Sequence, residues 1–243
     1  MNKIDSENSS QTLALSAYSR IRADIIDGTL EPGRKLRIAE LCDTYELGSS
    51  PLREALNRAC ADGLVLKREQ RGFYVSEISE LDLLALTNTR LWLEETALRQ
   101  TLCNDPEGWE ERILVAFHRL QKNSKTIKDE NFLSNTSWGE LHRDFHMELV
   151  SGCGSEWLIR YCEQLYDQSR RYRIKISSTR TTRPRRNRET INRHRDLIDA
   201  CIEGDVEASA KALAEHYLLS AEAVLNTKLR LLENPFRIVE LEK

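Results

Sequence analysis

Apolar residues recur at helical spacing along most of the chain, and the exceptions are as informative as the rule. Ala17, Ile21, Ile25 and Ile26 fall on one face of a helix starting near Ser16, and Gly28 stands where a left-handed residue closes it. Glu31-Pro32-Gly33 reads as a turn, followed by a short helix from about Ile38 to Tyr45 and a second turn at Leu47-Gly48. Ser50 and Pro51 are suited to the N-cap and first turn of a third helix, which ends at Gly63. The pattern then changes. Leu64-Val65-Leu66-Lys67 and Phe73-Tyr74-Val75 are short extended runs separated by Glu69-Gln70-Arg71-Gly72, which predicts a hairpin. Three helices plus a small β-hairpin make a winged helix-turn-helix over residues 12–76, behind a polar arm at residues 1–11 that is expected to be flexible.

Beyond Ser76 the 3.6-residue period fits every remaining segment, so the fold class is mostly α, with an all-α helical bundle over residues 79–232 and a tail at 233–243. Ser79-x-x-Asp82 resembles a capping box and opens a long helix ending near Asn104-Asp105-Pro106. Further helices are predicted over 107–126, 137–152, 155–177, 188–203 and 206–232, with breaks at Gly152, Pro184 and Gly204-Asp205. The basic stretch from Thr179 to Asn187 is expected to be poorly structured.

Composition refines this picture in four places. A length of 243 residues suits two compact cores. The net charge of -3 means that any nucleic-acid footprint must be local. No apolar run is long enough to span a bilayer, and MNKIDSENSSQT lacks the basic-then-apolar pattern of a signal peptide, which predicts a cytoplasmic protein with no membrane partner. The six cysteines are scattered without a C-x-x-C pair and read as reduced, mostly buried side chains.

Candidate chemistry lies in both parts of the chain. On the third helix Leu52, Leu56 and Ala59 can face inward while Ser49, Ser50, Arg53 and Asn57 project outward near the N-terminus. Arg53 is suited to bidentate contact with guanine, unless it pairs instead with a carboxylate such as Glu54. Arg34, Lys35 and Arg37 precede the second helix, and Lys67, Arg68 and Arg71 line the wing, all as phosphate contacts. In the bundle, His142 and His146 lie four apart on one helical face, where both rings can reach one metal ion. His194 and His216 sit on the apolar stripes of two later helices and can complete the set; the alternative is that each is a satisfied core residue. Asp144 projects from the opposite face. Arg90 interrupts the stripe Leu83, Leu86, Leu93, Ala97 and needs an anion, either Glu94 one turn later or a carboxylate effector. No carboxylate or nucleophile accompanies the histidines at a catalytic spacing, so the chain does not read as an enzyme.

The segments IRADIIDGTLEPGRKLRIAEL, SSPLREAL, DGLV and RGFYV resemble the DNA-binding domain of the GntR family of regulators. TRLWLEETAL, HRDFHMELVSGCGSEWL, NRHRDLIDACIEGD and ALAEHYLLSA resemble the FCD ligand-binding domain of its FadR-type branch. HRDFHMELVSGCGSEWL and LYDQSRRYR are similar to a subgroup that includes a carbon-starvation-induced repressor responding to glutarate. The resemblance implies that Arg53 is the recognition-helix arginine and that Gly72 marks a wing tip approaching the minor groove. It also implies that His146, His194 and His216 match three metal-binding histidines, while His142 occupies a position held by aspartate in relatives. An all-histidine set favours Zn or Ni over Mn or Mg. The function implied is a homodimeric repressor of palindromic operator DNA, modulated by a small organic acid such as a short dicarboxylate bound by Arg90 near the divalent metal. The alternative is a constitutive dimeric DNA-binding protein whose helical domain is structural.

Overall fold

The computed structural model describes residues 3–126, 136–179, 184–233 and 237–241, and the chain divides into two compact units, Met1–Ile78 and Ser79–Lys243. In the first, helices α1 (Lys3–Ile26), α2 (Ile38–Tyr45) and α3 (Ser49–Ala61) accompany strands β1 (Lys35–Leu36), β2 (Val65–Arg68) and β3 (Gly72–Val75). Ala17, Ile21 and Ile25 of α1 meet Leu52 and Leu56 of α3, and Phe73 and Val75 close the core from the sheet. Leu52 and Leu56 are fully buried, so truncating either to alanine would cost about 2 to 5 kcal/mol.

Three expectations for this unit are corrected. Helix α1 begins at Lys3, so the segment expected to be a flexible arm continues the helix; no Gly or Pro interrupts the ladder before Gly28. Helix α3 starts one residue early, with Gly48 in extended conformation as N-cap in place of Ser50. The sheet has three strands in the order β1-β3-β2, because Lys35 and Leu36 pair with Tyr74 and Phe73 on the open edge of the hairpin.

The second unit contains α4 (Glu80–Asn104), α5 (Trp109–Thr126), α6 (Thr136–Val150), α7 (Glu156–Thr179), α8 (Pro184–Ile202) and α9 (Val206–Leu225). Ser79 caps α4 by accepting from the Asp82 backbone N–H, and Asp205 caps α9 by accepting from that of Ala208. Helix α4 packs on α6, α7 and α9, and α5 packs on α6 and α8. The last helix ends at Leu225 because Asn226 adopts the left-handed conformation of a C-cap. Strands β4 (Leu229–Glu233) and β5 (Arg237–Leu241) then form an antiparallel ribbon, which corrects the expected tail and the purely helical bundle. Leu229 and Leu231 seat this ribbon against Leu84, Leu218, Ala221 and Leu225. Pro184–Asn187 belongs to α8, contrary to the expected irregular loop, while residues 180–183 lie outside the described residues. No helix among the described residues is long and apolar enough to cross a membrane.

Candidate functional site

Helix α3 buries Leu52, Ala55, Leu56 and Ala59, which leaves Ser49, Ser50, Arg53 and Asn57 exposed along the opposite face. Arg53 makes no ion pair among the described residues, so the anticipated pairing with Glu54 is not formed. Arg34, Lys35, Arg37, Lys67, Arg68 and Arg71 are exposed on the same unit. Arg37 is held by Glu40 at 2.9 Å and Arg68 by Glu77 at 3.3 Å. The pleat separates two cations that the sequence places side by side, since successive strand residues point to opposite faces. Lys67 lies over the core-facing Phe73 ring at 5.7 Å, whereas Arg68 and Lys35 lie over the outward Tyr74 ring at 4.6 and 5.6 Å. At the wing tip Gly72 has φ of +91°, a conformation that side-chain-bearing residues rarely adopt.

In the second unit α6 brings His142 and His146 onto one face, α8 adds His194 and α9 adds His216. All four are buried, and each offers a ring nitrogen within 4.8 Å of the others. His142 Nε2 and His194 Nε2 are 3.1 Å apart. Four nitrogen donors around a Zn ion at about 2.0–2.1 Å would stand about 3.3 Å from one another, so this pair is close to a ligating separation. The donor set fits a borderline-soft divalent ion, because imidazole suits Zn and Ni and no carboxylate among the described residues joins the cluster. His194 Nδ1 donates to the Thr190 carbonyl at 2.7 Å, and His142 Nδ1 lies 2.6 Å from the Tyr166 hydroxyl. Asp144 is exposed, as its position on the far face of α6 requires.

Arg90 is buried in the middle of α4 as a three-way donor. Its Nε donates to Glu94 at 2.8 Å, Nη1 to the Ser169 hydroxyl at 2.9 Å and Nη2 to the Tyr217 hydroxyl at 2.9 Å. Tyr217 in turn donates to the other Glu94 oxygen. Burial opposes the Arg90 charge, but Glu94 and Tyr217 outweigh it and hold the guanidinium pKa above its ordinary value. Burial likewise pushes the Tyr217 phenol well above the usual range, with Arg90 opposing and Glu94 adding to the shift. A recess of about 40 Å³ joins this network to the histidines: Arg90, Ser169 and Tyr217 line it together with His146 and His216, and Leu83, Ala221 and Val224 form an apolar wall.

Residues 13–75 match the family described as bacterial regulatory proteins, gntR family, and residues 85–219 match the FCD domain. The chain belongs to the GntR family. Similar sequences include the HTH-type transcriptional regulator BphR of Paraburkholderia xenovorans, 36% identical over 88% of this chain and 86% of that protein. The HTH-type transcriptional repressor GlaR of Escherichia coli K12 is 30% identical over 84% of this chain and 92% of its own length. The solved structure of E. coli McbR/YncC shares the fold with a TM-score of 0.74 at 20% identity, covering 88% of this chain and 97% of that one. As a GntR regulator with an FCD domain, the protein is a transcription factor and not an enzyme.

Several site residues escaped the sequence reading. The sequence offers Glu94 only as a partner of Arg90, yet it is itself 1% exposed and shared with Tyr217. Cys162, Tyr166 and Ser169 form a buried line on α7 at helical spacing, but a tyrosine within an apolar stripe gives no signal that separates it from ordinary core.

Proposed function

We propose that this GntR-family regulator is a repressor that binds palindromic operator DNA as a homodimer and responds to a small carboxylate held beside a divalent ion, Zn or Ni, in the helical bundle. The observation that carries this reading is that His146 and His216 of the histidine cluster line one recess together with Arg90. Neutral imidazoles leave both positive charges of a divalent ion uncompensated, whereas Glu94 already balances Arg90. The ion is therefore the anion-attracting centre, and Arg90, Ser169 and Tyr217 orient what binds there. The recess is polar on the Arg90 side and apolar on the Leu83, Ala221 and Val224 side, which suits a carboxylate head carried on a short aliphatic body. In this reading Arg53, Ser49, Ser50 and Asn57 read bases, and Arg34, Lys35, Arg37, Lys67, Arg68 and Arg71 meet phosphate around the Gly72 wing tip.

A second reading, a constitutive dimer with a structural bundle, is favoured by one fact: Arg90 is already matched within the chain. Elemental analysis and gel shifts with short mono- and dicarboxylates on one set of preparations separate the two. Arg90→Ala alone would strand Glu94 in the interior at a cost of about 3 to 5 kcal/mol, so the pair should be replaced together as Arg90→Met with Glu94→Gln. The expected outcome is that His194→Ala loses metal and effector response with basal operator binding nearly intact, and the paired variant keeps metal and loses the response. Full metal and normal response in His194→Ala would return the histidines to a core role.

A further inference from the structure

We propose that Tyr166 is a positioning residue that selects the Nε2 atom of His142 as a metal ligand, by serving as hydrogen-bond donor to one tautomer of that ring and as acceptor from the other. The inference rests on the metal reading above and adds a residue outside the ligating set.

The argument begins at His194. A carbonyl only accepts, so the 2.7 Å contact with the Thr190 oxygen fixes the ring hydrogen on Nδ1 of a neutral His194 and directs the Nε2 lone pair toward His142. At 3.1 Å two lone pairs cannot face one another, and a hydrogen bond between the two Nε2 atoms requires the hydrogen on His142 Nε2. His142 Nδ1 is then an acceptor, and the Tyr166 hydroxyl, 2.6 Å away, donates to it. Ligation through both Nε2 atoms needs both lone pairs. The single ring hydrogen of His142 must in that case sit on Nδ1, and the Tyr166 oxygen must accept it. No proton is gained or lost by the ring; only its place changes.

A hydroxyl satisfies both arrangements because it carries one hydrogen and two lone pairs and can rotate, whereas a carboxylate accepts only. Tyr166 is fully buried, and its ring also packs on His142 and His146, with centroids 5.8 and 5.7 Å away, so it cannot swing clear. Trp138 covers His142 at a centroid distance of 4.4 Å. The ring is thereby held in one plane while its tautomer remains free to change. The Arg90 guanidinium lies 5.4 Å from the Tyr166 ring centre, which ties the same side chain to the recess.

The test uses the full-length protein and Zn(II), titrated in competition with a chromophoric chelator. Tyr166→Phe is expected to weaken Zn(II) affinity roughly 10- to 100-fold, the usual effect of removing an outer-sphere partner, with little change in operator affinity in the absence of added zinc. In a His142→Ala background the same substitution is expected to add nothing. Independently of any variant, nitrogen-15 spectra of the wild-type protein should show the His142 ring hydrogen on Nε2 before and on Nδ1 after Zn(II) addition. Unchanged zinc affinity in Tyr166→Phe, or ligation of His142 through Nδ1, overturns the role of Tyr166 while leaving the metal site standing. Failure of the wild-type protein to bind Zn(II) or Ni(II) removes the metal reading and this inference together.

Discussion

Arg53 and Lys67 are both exposed cations of the winged unit, yet their surroundings differ, and the proposed function gives them different work. Arg53 projects from the exposed face of a well-packed helix with no ion pair among the described residues, while Lys67 lies along an aromatic ring at the edge of the sheet. Arg53→Ala should therefore cost about 1 to 3 kcal/mol on the operator and relax specificity at one base pair. Lys67→Ala should weaken operator and random duplex alike and flatten the dependence of log K on log salt by about 0.9. Titrations of both variants against both duplexes check this, and equal loss on the two by Arg53→Ala would remove its base-reading role. At this scale the site was partly legible. The spacing of His142 and His146 announces a shared face, and Arg90 announces itself as a charge in an apolar stripe. What joins them was not legible, because Tyr166, Ser169 and Tyr217 are brought to Arg90 and the histidines by helix crossings that no local pattern encodes.

Elements were most legible where a conformational requirement coincides with a residue type. Ser79, Asp205 and the segment before Gly63 are such places, and the helix ends there follow from capping or from a left-handed turn. Strand β1 was missed because two residues carry no period, and its existence depends on the free edge of β3. The end of α9 was overrun because the leucines from Leu229 to Leu232 continue an apolar pattern that strand and helix share over so short a run. Gly152 shows a different kind of constraint, one of space. A Cβ there would stand 2.5 Å from Pro106 Cγ and 2.9 Å from Thr101 Cγ2, and neither a proline ring nor a buried threonine can yield cheaply. Gly152→Ala should destabilise the second unit by about 1 to 3 kcal/mol through overpacking. Gly139→Ala, whose new methyl would first meet the guanidinium at the far end of the unbranched Arg170 side chain, should cost less. Denaturant midpoints of the two variants compare them directly, and equal losses would contradict the distinction.

For the molecule as a whole, the division into a reading unit and a sensing unit was visible in the change of period near Ser76, and Met1–Ile78 and Ser79–Lys243 are the compact bodies. One winged unit covers a short stretch of DNA, and a two-fold pair matches a palindrome. Sedimentation should accordingly show a dimer at micromolar concentration and footprints should cover paired half-sites; a monomer protecting one half-site contradicts the assembly. The small recess beside Arg90 bears on time as well as affinity. Under the proposed function, a carboxylate that needs the walls of this recess to part enters only as often as they do, so its observed binding rate should climb with concentration and then level off at the frequency of opening. In stopped-flow mixing that plateau would appear as a ceiling on how quickly the regulator can answer a sudden rise in the metabolite, however large the rise; a rate that stays linear in concentration would mean that the walls pose no barrier.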